Sequence, residues 1–232
     1  MSSRTTYALG AVAVVVIALI VFFAFRWGSD GAEVRNDGYG TVRDEAVTVD
    51  LQSDGGVRLG RPEAPKTIEI YEDPMCPACG SLETLYGQEI AQKVDEGKLA
   101  VRYRFVNFLD PKSSSGDYST RATAALQCVA DAGPAVTFAK FHDTLFTDRQ
   151  PEEGSGLTDE ELASLATGAG APEPALDCIT DGTRRTQAQD QAGAAVDDLA
   201  AALDGDAATP AVFDVATKID VNEPEWVQQV AP

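Results

Sequence analysis

Two cysteines that stand two residues apart where a strand gives way to a helix constrain this chain more than anything else in it. The stretch Asp73 to Gly80 reads DPMCPACG, and the run before it, Thr67 to Tyr71 (TIEIY), is short and β-rich. From Cys79 onward Leu82, Leu85, Tyr86, Ile90 and Val94 recur at helical spacing, and Gly97 sits where a helix would stop. The next segment, Leu99 to Asn107, alternates Leu99, Val101, Tyr103 and Phe105 with Arg102 and Arg104, which predicts a second strand. Two strands joined through a helix form a β-α-β unit with a parallel pair, and the cysteines lie at its first junction.

Three chemistries use this spacing: half of a zinc site, a structural crosslink, and a thiol-disulfide switch. Zinc needs four ligands, and Cys128, Cys178 and His142 offer no second close pair, so no metal is expected. A crosslink closing so short a loop would constrain the unfolded chain least. The switch has a physical basis. With Cys76 at the helix N-cap, Pro77 falls at the first helical position, where its missing N–H costs nothing. The N–H groups of Ala78 and Cys79 are then expected to point at the Cys76 sulfur, and the helix dipole favours its thiolate. Cys79, one turn further in, is expected to be shielded. Cys76 would then make and break the mixed disulfide with a partner while Cys79 resolves it.

The rest of the chain suggests one domain on a membrane anchor. Tyr7 to Phe25 is 19 residues without a charge, roughly 28 Å as a helix, and no small-x-small cleavage site follows it. Residues 1–26 are therefore expected to form a single uncleaved transmembrane anchor, with Trp27 in the headgroup belt. Basic residues flank the run on both sides and leave its orientation open, but four cysteines suit an oxidising space, so the domain is placed outside the cytoplasm. Residues 27–60, rich in Gly and Asp, read as a tether with one possible short strand at Ala46–Leu51, and residues 61–232 as the domain proper. Within it, about 118–205 shows helical patterns only. Ala211–Val215 and Lys218–Val221 then read as two strands before a short terminal helix. Against 37 Asp+Glu stand 18 Lys+Arg, and a surface that acidic repels phosphate backbones and anionic lipid headgroups, so no nucleic acid is expected as a partner.

The run IEIYEDPMCPAC, the β-α-β unit with its large helical insertion, and the late ATPAVF resemble the membrane-anchored DsbA-like thiol-disulfide oxidoreductases of the thioredoxin superfamily. The resemblance covers about residues 60–230. It implies an α/β thioredoxin-like fold with a helical insertion behind one N-terminal transmembrane helix, Cys76 and Cys79 as the catalytic pair flanking Pro77-Ala78, and no cofactor. It also implies that Thr209-Pro210 is a cis-proline loop facing the cysteines and pairing with an extended substrate segment. From the residues alone Pro210 would be one of 12 prolines, at an ordinary strand start. The implied activity is donation of a disulfide to unfolded exported proteins. Reoxidation would fall to a membrane quinone-linked oxidase resembling DsbB or vitamin K epoxide reductase. A reductase or isomerase, or a membrane-tethered chaperone, is the alternative. One departure stands out: many relatives carry a buried acid six residues before the first cysteine, and here that residue is Ile70. Glu69 and Glu72 are close by, and the proton relay is assigned to none of them.

Cys128 and Cys178 both fall on helical patterns within the insertion. Buried free thiols would account for them, but two cysteines in one oxidised domain are expected to be joined. Closing that loop would contribute roughly 4 kcal/mol on the chain-entropy model, a gain in stability and not in turnover. His142 shares an amphipathic helix with Phe138, Phe141 and Leu145 and reads as structural.

Overall fold

The computed structural model describes residues 33–147 and 154–232. The expected transmembrane anchor lies outside them, and among the described residues no helix is long and apolar enough to cross a membrane. The chain divides into Met1–Val34, whose described residues 33 and 34 form no regular element, and the folded unit Arg35–Pro232.

Six strands form one sheet: β1 (Thr48–Leu51), β2 (Val57–Gly60), β3 (Lys66–Glu72), β4 (Leu99–Phe105), β5 (Ala211–Asp214) and β6 (Thr217–Lys218). Their order across it is β1-β2-β4-β3-β5-β6. β3 and β4 are the parallel pair, registered from Lys66 opposite Leu99 to Glu72 opposite Phe105, and α1 (Pro77–Asp95) connects them. β2 adds antiparallel to β4, and β5 antiparallel to β3. Strand alternation then sorts the side chains of β3 onto two faces. Ile68 and Ile70 enter the main core with Leu82, Tyr86 and Ile90 of α1, whereas Tyr71 packs with Phe213, Ala195 and Leu199 on the other side.

The insertion comprises α2 (Tyr118–Ala132), α3 (Ala135–Thr147), α4 (Asp159–Ala169), α5 (Glu173–Thr180) and α6 (Arg185–Ala202), and α7 (Trp226–Val230) closes the chain. α4 begins with a capping box in which Thr158 and Glu161 satisfy each other's backbone N–H, and ends at Gly170 in the left-handed conformation (φ 95°). Cys128 of α2 and Cys178 of α5 are joined by a disulfide, with their Cα atoms 5.8 Å apart.

Two expectations need correcting. Residues 35–60 are not a tether: β1 and β2 extend the sheet, and Val42, Val47, Val57 and Leu59 are buried in the main core. The segment before β1 also docks on α1, where the Asp95 carboxylate accepts hydrogen bonds from the Tyr39 hydroxyl and the N–H groups of Arg43 and Asp44. β1 lies within the short strand expected at Ala46–Leu51, whereas the four residues of β2, just after the turn Asp54-Gly55-Gly56, carry too little alternation to stand out against the Gly and Asp around them. At the other end, Val215 takes φ 57° and is 86 % exposed, so the chain turns there and β6 is only two residues long.

Candidate active site

Cys76 is the N-cap of α1 with extended backbone (φ −79°, ψ 113°), and Pro77 begins the helix. The expected N–H cradle for its sulfur takes a different form. The N–H of Cys79 is used in a 3.0 Å bond to the Cys76 carbonyl, and no N–H meets the geometry of a side-chain cap. The Cys76 thiol is nevertheless lowered to about 6. The largest cause is the hydrogen bond from the Cys79 thiol, and the Thr209 side chain and the N–H groups of Cys79 and Ala78 add to it against the cost of burial. Cys76 and Cys79 are both reduced, with no disulfide between them, and Pro77 and Ala78 beside them are exposed.

Cys79 is fully buried, and burial raises its thiol far above the ordinary range, with Cys76 and the Glu72 carboxylate adding to the shift. Glu72, at the end of β3, is 0 % exposed, and burial holds it well above the usual carboxylate range. Its Oε2 lies 2.9 Å from His142 Nε2 on α3. Glu83 of α1, one face-repeat beyond Cys79, is buried against the same pair and raised to about 8, mainly by burial and then by Glu72. His142 sits among the rings of Tyr103 (4.2 Å between centroids) and Phe146 (4.7 Å), and burial lowers its pKa. The ligand atoms of Glu72, Glu83 and His142 lie within 4.8 Å of one another, close enough to hold an ion, yet Glu72 already satisfies His142 Nε2 without one.

The Thr209–Pro210 peptide is cis, and the Thr209 carbonyl lies 3.4 Å from Cys76 Sγ, which donates to it. A depression of about 400 Å³ extends from Pro210 along Ile219, Val221 and Lys218. A second, of about 620 Å³, lies beside Met75 and Pro77 and is bounded by Leu109, Pro111 and Lys112. The dithiol thus lies between two shallow, partly apolar depressions.

This geometry has counterparts in known proteins. The thioredoxin family profile, described as "Thioredoxin", matches residues 52–229. The chain belongs to the thioredoxin family. Within that family it falls among the DsbA-like thiol-disulfide oxidoreductases. It is 31 % identical to the reduced DsbA of Mycobacterium tuberculosis (TM-score 0.60), with 80 % of this chain and 92 % of that one covered. It is 27 % identical to MdbA, a thiol-disulfide oxidoreductase from Corynebacterium matruchotii (TM-score 0.72), covering 83 % and 94 %. It is also 38 % identical over 213 residues to the serine/threonine-protein kinase PknE of M. tuberculosis, a match covering 90 % of this chain. The chain spans 37 % of the length of these curated relatives.

Against the thioredoxin-family pattern, the departure at Ile70 is resolved by strand parity. Residues 70 and 72 of β3 point to the same face, so Glu72 reaches the core beside the thiols from two residues further along. Glu69 points the other way and pairs with Arg102. The alternation of IEIYE already carries this signal, provided the strand is extended by one residue to Glu72. Asp73 also had no predicted role. It is buried, and its carboxylate accepts hydrogen bonds from the Ser119 hydroxyl (2.6 Å) and the N–H groups of Met75 (2.8 Å) and Leu109 (3.0 Å). That one side chain ties the cysteine loop to the start of α2 and to the rim of the larger depression. Burial raises it to about 6.

Proposed function

We propose that Cys76 and Cys79 form a disulfide that the protein donates to exported, cysteine-containing chains outside the cytoplasm, held at the membrane by residues 1–26. The observation that carries this reading is the placement of Cys76 at the N-cap of α1, beside the Cys79 thiol and facing the cis Thr209–Pro210 peptide, a setting that lowers its thiol to about 6. Whatever stabilises the reduced pair makes the disulfide easier to give away, so a low Cys76 pKa favours an oxidant. In the donor direction, a substrate thiolate attacks Cys76 Sγ and releases Cys79 as a thiolate. A second substrate thiolate then attacks the mixed disulfide, a disulfide forms in the substrate, and Cys76 leaves as its stabilised thiolate.

Thr209 and cis-Pro210 would present main-chain groups to an extended substrate segment across the sulfur, with the two flanking depressions taking its side chains. Their shallow form suits unfolded chains of varied sequence. Glu72 would give the Cys79 thiolate its proton on donation and accept it again on reoxidation. A membrane quinone-linked oxidase of the DsbB or vitamin K epoxide reductase type would restore the disulfide. The decisive experiment is the reduction potential of the Cys76/Cys79 pair in glutathione buffers. A value near about −120 mV supports a donor, and one near or below about −270 mV would replace it with a reductase.

A further inference from the structure

The two depressions beside the dithiol differ in charge. The larger begins at Met75 and Pro77, the neighbours of Cys76 along the chain, and is walled by Leu109 and Pro111. Among the described residues Lys112 is the one charged side chain that lines it. The smaller begins at Pro210, next to the Thr209 carbonyl that lies 3.4 Å from Cys76 Sγ, and carries Lys218 together with Asp220. The Asp220 carboxylate, which accepts hydrogen bonds from the N–H and the side-chain amide of Asn222, offsets Lys218 there. One depression is therefore cationic and the other nearly neutral.

The acids closest to Lys112 along the chain are engaged elsewhere. The Asp110 carboxylate accepts hydrogen bonds from the N–H (3.0 Å) and the hydroxyl (2.6 Å) of Thr120 on α2, and Asp117 pairs with Arg121. Asp73, beneath the rim, is buried on Ser119 and on the N–H groups of Met75 and Leu109. Lys112 itself is exposed and makes no ion pair among the described residues. Most other lysines of the folded unit have a structural use. Lys66 and Lys98 pair with Asp214 and Glu96, and Lys140 donates to the Gly168 carbonyl. Lys93 lies in the last turn of α1, where a cation offsets the helix dipole. In a chain with 37 acidic side chains against 18 basic ones, a bare cation beside the reactive sulfur reverses the prevailing field locally.

We propose that Lys112 makes the protein selective for acidic client segments, in which an Asp or Glu two residues from the client cysteine sits against the Lys112 ammonium. This rests on the reading of the dithiol as a disulfide donor and adds the kind of client it prefers. In an extended segment whose cysteine faces Cys76, the residues two positions away on either side point to the same face, about 7 Å along. One of them enters the larger depression and the other the smaller. In the larger, Met75, Leu109 and Pro111 receive the apolar stem of the client side chain while Lys112 meets its carboxylate. A lysine at the same client position is repelled. Because the pair is exposed, the preference is modest, acts chiefly on encounter, and weakens with salt.

The test uses the full-length protein, oxidised and freed of oxidant, and dithiol peptides that differ at one kind of position. Glu, Gln or Lys stands two residues before each cysteine in one series and two residues after each cysteine in the other, with a glycine-serine spacer between the halves. Each rate of peptide oxidation is divided by the rate of the same peptide with a small uncharged disulfide, which removes the effect of the neighbouring charge on the peptide's own thiols. One series is expected to favour Glu over Lys about fivefold at low salt, and the preference should shrink in about 1 M salt. Lys112→Glu should invert that ratio, whereas Lys218→Glu should shift it less than about twofold. Reading the ratio within each variant cancels any general loss of rate. Equal rates for Glu and Lys peptides in both series would overturn the selectivity. So would a preference that survives Lys112→Glu, or one that Lys218→Glu removes equally well. The Gln peptides test the underlying reading separately: if the wild-type protein does not oxidise them, the donor role fails, and if it does, that role stands whatever the ratios.

Discussion

At the level of single residues, the two thiols of one motif are held in opposite states by their surroundings. Cys76 is lowered chiefly by the hydrogen bond from Cys79, so Cys79→Ala is expected to move the midpoint of Cys76 alkylation upward from about pH 6. An unchanged midpoint would transfer the credit to the N–H groups and Thr209. Asp73 makes a second prediction. Its folded-state pKa of about 6 lies above the ordinary value of 3.8, so the neutral form is the favoured one in the fold. The stability this contributes is complete below about pH 4 and is lost as the pH rises through 6. Asp73→Asn should flatten that part of the stability-pH curve, as read by urea unfolding between pH 4 and 7. What the sequence disclosed at this scale was the motif itself, because proline and cysteine announce a helix start by their chemistry. That Glu72, Glu83 and His142 form one buried cluster was not legible, because they lie 11 and 59 residues apart along the chain and only the fold brings them together.

Among the elements, the β-α-β unit was legible because strand and helix periods succeed each other cleanly from Thr67 to Phe105, and β1 because Ala46–Leu51 alternates. β2 was not, since Val57, Leu59 and Gly60 are all buried, so four residues show no clear alternation, and the strand is held by pairing with β1 and β4. The insertion invites two measurements. Cys128→Ala removes a crosslink over 50 residues, worth up to about 4 kcal/mol, and should lower Tm while leaving peptide oxidation per folded molecule nearly intact. Loss of activity in a well-folded variant would show that the crosslink reaches the site. Thr158→Ala breaks the capping box of α4 and should cost about 1 kcal/mol in thermal or denaturant unfolding.

For the whole molecule, the folded unit begins near Arg35, and the position of its first strands makes a prediction about truncation. A chain starting at residue 33 should unfold cooperatively, whereas one starting at residue 61 loses two strands and the buried Val42, Val47, Val57 and Leu59, and should not. Circular dichroism melts of the two distinguish these outcomes. The disulfide between α2 and α5 has a bearing on how such a population of molecules comes to exist. On the donor reading, a newly exported copy whose Cys128 and Cys178 are still thiols is itself a client of its elders. Maturation would then feed on its own product: slow in a cell with few finished copies, faster as they accumulate, and stalled for all newcomers if the finished pool is reduced.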